Sequence, residues 1–153
     1  MFKPALVLAC ATASALAACA GAAGVASALA PPPSARVARA ADGHYWAEAA
    51  VDGRALPMLV DTGAAAVALT PADARSLGFD PARLAYDRPV ATAAGRTRAA
   101  PVTLARLSVG AVEVRDVPAL VVREGLERSL LGMSYLGRLK RFSADADGLT
   151  LVR

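Results

Sequence analysis

One carboxylate of the sequence stands where a carboxyl group could take part in a reaction. An apolar run, residues 58–60, ends at Asp61, and Thr62, Gly63 and a second apolar run follow it. An apolar run that ends in Asp or Gly is typical of a buried strand that reaches a turn. Asp61 is therefore predicted at a rigid strand end, in surroundings poor in water, where an ionised carboxylate needs a second charge or hydrogen-bond donors. Such a carboxyl group usually serves chemistry, and the plainer alternative is a polar turn between two core strands.

Other reactive side chains are scarce. Both cysteines, Cys10 and Cys19, lie within the first thirty residues, so residues 20–153 can form neither a disulfide nor a catalytic thiol. The single histidine, His44, excludes a His/Cys zinc cluster. A Ser-His-Asp triad would have to use His44, whose plainer interpretation is a half-exposed strand residue. We therefore expect no metal and no cofactor.

The charge pattern argues against nucleic acid as a partner. The net charge is +4, but the arginines are scattered, and the one tight basic group is Arg138, Lys140 and Arg141. Aromatic residues make up only 5% of the chain, too few to stack many bases. The basic residues are therefore interpreted as a solvated face.

Residues 1–30 differ in composition from the rest of the chain. Lys3 gives a short positive start, and Ala5 to Ala30 contain no charged residue, which is typical of an export leader. Cys19 follows Leu-Ala-Ala, the small-residue pattern of a bacterial lipoprotein cleavage site, and would then be lipidated. An uncleaved membrane anchor and a cleaved signal peptide are the alternatives. All three predict a location outside the cytoplasm, in the periplasm, and the first two a membrane tether.

Residues 31–41 are predicted to be a Pro/Ala-rich tether, and residues 42–153 the folded domain. Thr70 and Pro71 mark a short helix that stops at Gly78, and a second short helix is expected over residues 133–139. Many short strands with close turns predict a mostly β domain, a small closed antiparallel β-barrel with one or two short helices. The predicted strands are 44–51, 55–60, 66–69, 89–94, 97–107, 111–114, 117–122, 130–131, 142–144 and 149–152.

Three segments, taken together and in this order, resemble the retropepsin-like aspartic proteases. Asp-Thr-Gly-Ala at residues 61–64 resembles the active-site loop of that family, and residues 91–96 resemble its glycine-tipped flap. Residues 129–139 resemble the apolar-apolar-Gly strand and short helix near the end of such domains. The resemblance spans residues 42–153 and is closest to the single-domain bacterial branch with a membrane-directed leader. It implies a barrel of the retropepsin type.

The resemblance also implies a role for each matched residue. Asp61 would be catalytic, and Thr62, Gly63 and Ala64 would complete its loop. The other matched residues would form a flap over the substrate (Thr92, Ala93, Ala94 and Gly95) or pack beneath the loop (Leu130, Leu131 and Gly132). Two departures are visible: Ala65 stands where viral members carry an acid, and the flap lacks a large apolar tip.

Aspartic peptidases use two carboxyl groups that share one proton, and this chain carries a single Asp-Thr-Gly. Asp52-Gly53 and Asp147-Gly148 are predicted to be ordinary hairpin turns. By resemblance, the second carboxyl is Asp61 of an identical subunit across a two-fold axis. The expected protein is a homodimeric endopeptidase that acts on polypeptides. A catalytically silent, peptide-binding β-barrel lipoprotein and a structural envelope lipoprotein are the alternatives.

Overall fold

Two hydrogen-bonded sheets make up most of residues 31–153, which are the residues that the computed structural model describes. The predicted leader, with Cys19 and its alternative fates, lies outside the described residues. Within residues 31–153, neither helix has the length and apolarity needed to cross a bilayer. The strands are β1 (Ser34–Ala38), β2 (Trp46–Val51), β3 (Arg54–Val60), β4 (Val67–Leu69), β5 (Arg88–Thr92), β6 (Gly95–Val109), β7 (Val112–Val122), β8 (Leu130–Leu131), β9 (Arg141–Ala144) and β10 (Gly148–Val152), and the helices are α1 (Pro71–Ser76) and α2 (Met133–Leu136).

Six strands close into a ring. Their order is β2-β3-β8-β4-β7-β6, and β6 pairs back onto β2; β5 extends β6 as a hairpin beyond the ring. This confirms the mostly β fold, a small closed barrel with two short helices. It is not purely antiparallel, because β3–β8 and β4–β7 are parallel. Because β8 lies between β3 and β4, which run in opposite directions, it has to be parallel to one of them. The loop that joins β3 to β4 carries Asp61.

The barrel interior is apolar and tightly filled. Alternating residues of β2 and β3 point inward, and small side chains such as Ala47 and Ala49 let the larger ones interdigitate. Tyr135 of α2 is fully buried, and its hydroxyl donates to the Val112 carbonyl oxygen at 2.8 Å. Burial raises the pKa of Tyr135 to about 12. The helix that carries this tyrosine is thus anchored directly to the core beneath β8.

Local turn and cap chemistry explains two of the boundaries. Asp52 and Gly53 have φ values of +49° and +85°, as the predicted β2–β3 turn requires. Thr70 caps α1, since its hydroxyl oxygen accepts from the Asp73 backbone N–H at 3.1 Å, and Pro71 is the first helical residue. Both predictions are confirmed.

The tether prediction is wrong for residues 34–38. These residues form β1, which pairs along its whole length with β10, and β9 lies on the other side of β10. Val37 is buried, and it faces Leu149 in the register. The partner strand is more than a hundred residues away in sequence, so a short segment rich in alanine and proline gives no local signal for this pairing. The folded domain therefore starts before residue 42.

The prediction of two strands over residues 111–122 is also wrong. A single strand, β7, pairs with β6 in one register from Val109–Val112 to Ala99–Val122. Asp116 interrupts the apolar pattern and adopts a φ of +49°, but the pairing continues on both sides of it. The long β6–β7 ribbon that results forms one wall of the cleft described below.

Candidate active site

Asp61 follows β3 directly and begins a tight loop that is held by its own backbone. The Asp61 N–H donates to the Leu131 carbonyl oxygen at 3.2 Å, and the Ala64 N–H donates to the Asp61 carbonyl oxygen at 3.3 Å. The Gly63 N–H donates to Oδ1 of the Asp61 side chain at 2.8 Å. A side chain at position 63 would put its Cβ 3.1 Å from that same Oδ1. The half-buried carboxylate is thus oriented by the Gly63 N–H, and a side chain at position 63 would crowd it.

The loop rests on Gly132. A Cβ at this position would overlap the Ala66 carbonyl group and lie 2.8 Å from the Ala64 carbonyl oxygen, so only glycine fits. The next residue, Met133, donates its N–H to the same Ala64 oxygen at 2.8 Å. Backbone therefore packs directly on backbone at this point, and we call residues 61–66 together with residues 130–134 the floor of the site.

Two serines hold the floor to the barrel, and the sequence analysis missed both. Ser134 Oγ accepts from the Val67 N–H at 2.9 Å and donates to the Pro118 carbonyl oxygen at 2.7 Å. Ser129, almost completely buried, accepts from the Thr70 N–H at 3.1 Å and donates to the Asp73 carboxylate. Each hydroxyl bridges segments far apart in sequence, and no local pattern marks such a role.

The predicted flap is the β5–β6 hairpin. Thr92 pairs with Gly95, so Ala93 and Ala94 form the tip, and the tip is not at Gly95 itself. The Thr92 hydroxyl donates to the Gly95 carbonyl oxygen at 3.0 Å, and Gly95 has a φ of +122°. The glycine supplies the unusual backbone conformation just after the turn.

The flap tip lies against a second loop. A Cβ built on Gly125 would lie 3.1 Å from the Thr92 hydroxyl and 3.3 Å from the Ala94 methyl carbon. Gly125 has a φ of +76° and belongs to the segment between β7 and β8. The contact is between small groups, so it adds little packing energy.

Floor, flap and this second loop enclose a cleft of about 1030 Å³. Of the predicted site residues, the cleft brings together Asp61, Gly63, Ala64, Thr92, Ala93, Ala94 and Leu130. Gly95, Leu131 and Gly132 are not part of its lining, and Thr62 is exposed to solvent outside it. Ala65, at the position where viral members carry an acid, contributes only a methyl group. Within residues 31–153, no three His, Asp or Glu side chains converge to hold a metal ion.

Arg128 stands at the rim of this cleft, and the sequence analysis did not single it out. Its guanidinium carbon lies 5.1 Å from the centre of the Trp46 ring, in cation–π geometry. The Trp46 indole N–H donates to Asp42 Oδ2 at 3.0 Å. This bond, followed by one from the His44 backbone N–H, lowers the pKa of Asp42. Indole and guanidinium are thus both held in place.

Comparison with known proteins agrees with this geometry. A model of the gag-polyprotein putative aspartyl protease family matches residues 47–138, more than half of the chain. An uncharacterized protein of the cobV 5′ region of Sinorhizobium sp. is 46% identical over 72% of this chain and 48% of its own length. An uncharacterized protein of Rickettsia prowazekii is 43% identical over 75% of this chain and 49% of its own length. The chain therefore spans about half the length of these two relatives.

Superposition on a solved structure supports the same family and shows its fold. The crystal structure of a retropepsin-like aspartic protease from Rickettsia conorii is 42% identical and superposes with a TM-score of 0.70. The match covers 77% of this chain and 98% of that one. The family model covers the floor, the flap and the loop between β7 and β8, the segments that enclose the cleft. The chain belongs to the retropepsin-like aspartic protease family.

Proposed function

We propose that the protein is an aspartic endopeptidase that hydrolyses peptide bonds of polypeptide substrates. The observation that carries the proposal is Asp61: a half-buried carboxylate, oriented by the Gly63 N–H, in the lining of a long cleft. The other lining groups near it are mainly alanine methyls and leucine side chains, which suit an extended peptide of mixed sequence. Family membership points to the same activity.

The second carboxyl of the centre comes, in this proposal, from Asp61 of an identical subunit. Within the described chain, the only other acid of the cleft lining is Glu127, whose side chain is 87% exposed. Thr62 is exposed beside Asp61, so its hydroxyl could donate a hydrogen bond to a second subunit. An isologous dimer brings each residue near its axis against its own copy. It would therefore supply both the second carboxyl and a partner for the Thr62 hydroxyl.

The proposed reaction uses the two carboxyl groups as an acid–base pair. Like charges a few ångströms apart cannot both ionise, so one carboxyl keeps its proton and the other accepts one from a water molecule. The resulting hydroxide forms a bond to the carbonyl carbon, while the protonated carboxyl hydrogen-bonds the carbonyl oxygen. The carboxyl that took the proton from water then passes it to the amide nitrogen. The C–N bond breaks and releases an amine and a carboxylic acid. The pair titrates as one unit.

We also propose that the enzyme works outside the cytoplasm, held at a membrane by residues 1–30. The support is the composition of those residues, which carry no charge from Ala5 to Ala30. Fusion of residues 1–41 to a reporter that is active only outside the cytoplasm tests this location. A reporter that stays inactive inside the cell contradicts it.

Digestion of a peptide library by the full 153-residue chain tests the activity. Asp61→Asn keeps the shape of the side chain but removes the titrating group, so cleavage should fall by several orders of magnitude. Asp147→Asn is the matched control, because Asp147 also precedes a glycine but lies in the exposed β9–β10 turn. Full cleavage by a well-folded Asp61→Asn protein contradicts the aspartic mechanism.

A further inference from the structure

Arg128 is the one basic side chain in the lining of the cleft within the described part of the chain. Two contacts define its surroundings: the face of Trp46, whose indole N–H is bonded to Asp42, and the neighbouring carboxylate of Glu127. A guanidinium carries five N–H donors in a planar fork that fits a carboxylate through two parallel bonds. Stacking on an indole leaves the edge of the guanidinium, where those donors lie, available.

Glu127 does not satisfy this fork. The one contact joins Arg128 Nη2 and Glu127 Oε2 at 3.4 Å, and the two side chains are 50% and 87% exposed. A single long contact between exposed side chains of adjacent residues is weak. Within residues 31–153, Glu127 makes no second hydrogen bond or ion pair, whereas Arg128 is stacked on Trp46. The cleft therefore presents an ordered cation beside a loosely placed anion.

We propose that Arg128 is a specificity residue that binds an acidic side chain of the polypeptide substrate. This inference rests on the proposed peptidase function and adds the substrate class: polypeptides with Asp or Glu at a defined distance from the bond that is cut. A peptide carboxylate that enters the cleft makes two charge-assisted bonds to the fork and displaces the weak contact with Glu127. A neutral or basic residue at that position makes no such bonds, so the Arg128 guanidinium keeps only its contact with Glu127.

Strand register places Arg128 and Asp61 at different ends of the β3–β8 pair. Leu59 and Leu130 are partners in the parallel β3–β8 pair, and Asp61 follows Leu59 by two residues, while Arg128 precedes Leu130 by two. Asp61 and Arg128 therefore stand beyond opposite ends of this strand pair. The acidic residue should lie several positions from the cleaved bond. In a two-fold dimer, a second Arg128 gives an equivalent position on the other side.

The first experiment measures cleavage of octapeptide pairs by the full chain. The pairs differ by one Glu-to-Gln exchange, placed at each position in turn. At one position on each side of the cleaved bond, wild-type kcat/KM should be about tenfold higher for Glu. Arg128→Gln should remove this preference, so that the Glu and Gln members of each pair are cut with equal kcat/KM. Arg128→Lys, which keeps the charge but not the fork, should keep part of it.

Arg123→Gln is the matched control. Arg123 lies on the same loop and also stacks on an aromatic ring, that of Tyr86 at 5.6 Å, but it is not part of the cleft lining. This variant should keep the wild-type preference for Glu. If Arg128→Gln slows the Glu and Gln peptides equally, or if the wild type shows no preference at any position, the inference is wrong.

A binding experiment separates the inference from the peptidase proposal. Labelled Glu and Gln peptides are titrated with full-length Asp61→Asn protein, and the same is done with the double variant that also carries Arg128→Gln. A tighter Kd for the Glu peptide, present in the first protein and absent in the second, supports the inference even where no cleavage is seen. Equal Kd values in the first protein overturn it, whatever the activity of the wild type.

Discussion

The floor and the flap enclose the same cleft, but they are held in different ways. The floor loop packs backbone on backbone against Gly132, and its hydrogen bonds reach Leu131, Met133 and Ser134, beside the buried core. The flap is held by its own two strands, and beyond them its tip touches Gly125 through a hydroxyl and a methyl group. A tight scaffold thus carries the carboxylate, and a lightly held hairpin covers it.

This difference matches the roles proposed for the two regions. A catalytic carboxyl has to stay within a fraction of an ångström of its working position, so it belongs on a rigid element. A cover has to open for a polypeptide and close again, so it belongs to the less stable part of the molecule. Substitutions in the floor should therefore change stability and activity together, and substitutions in the flap should change mainly activity.

The largest effect is expected at Gly132. Gly132→Ala forces the floor loop away from β8, because the new methyl group overlaps the Ala66 carbonyl. We expect a loss of about 3 kcal/mol or more of unfolding free energy and a loss of activity that is not restored by cooling. Chemical denaturation and peptide cleavage measure the two effects. An active Gly132→Ala protein of wild-type stability would show that the floor is not tightly packed.

The next effect concerns α2, which supports the floor through Tyr135. Because burial raises the pKa of Tyr135 from its ordinary value of 10.0 to about 12, the unfolded chain loses this proton first as the pH rises. The stability from the neutral buried phenol is complete below pH 10 and declines by about 3 kcal/mol towards pH 12. Tyr135→Phe should remove that part of the alkaline decline. Unfolding curves of both proteins between pH 9 and pH 12 check it, and parallel declines contradict it.

A smaller loss is expected at Ser134. Ser134→Ala leaves the Val67 N–H and the Pro118 carbonyl oxygen without this partner, which should cost about 1–3 kcal/mol. Cleavage should fall as well, since β4 follows the floor loop directly. Ser143→Ala, on the exposed strand β9, is the control and should leave both quantities unchanged. Denaturation midpoints and kcat/KM are the readouts, and equal behaviour of the two variants contradicts the role of Ser134.

The smallest change in stability is expected in the flap. Gly95→Ala strains the backbone at a φ of +122°, and Gly53→Ala strains a similar turn at +85° between β2 and β3 of the barrel. Neither new methyl group meets another atom within 4 Å, so backbone strain of about 1–3 kcal/mol is the main cost at both. The flap can relax locally, so Gly95→Ala should lower Tm less and kcat/KM more than Gly53→Ala. The reverse order would mean that the flap is as firmly held as the barrel.

The sequence predicts those parts of the molecule that local chemistry decides. Asp52-Gly53 and the Thr70 cap are confirmed because turn and cap preferences act within a few residues. Strand β1 was missed because its stability comes from β10 at the other end of the domain. The pairing of Arg128 with Trp46 also joins residues far apart in sequence, so no local pattern reveals it.

The most direct test of the shared centre is a mixing experiment. Wild-type and Asp61→Asn chains are unfolded together, refolded at several mole fractions and assayed for peptide cleavage at constant total protein. If each centre needs two Asp61 carboxyls, activity should fall as the square of the wild-type fraction, because mixed dimers are inactive. At equal amounts about a quarter of the activity should then remain. A linear fall, with half of the activity left at equal amounts, would show that one chain forms a complete site and would contradict the account.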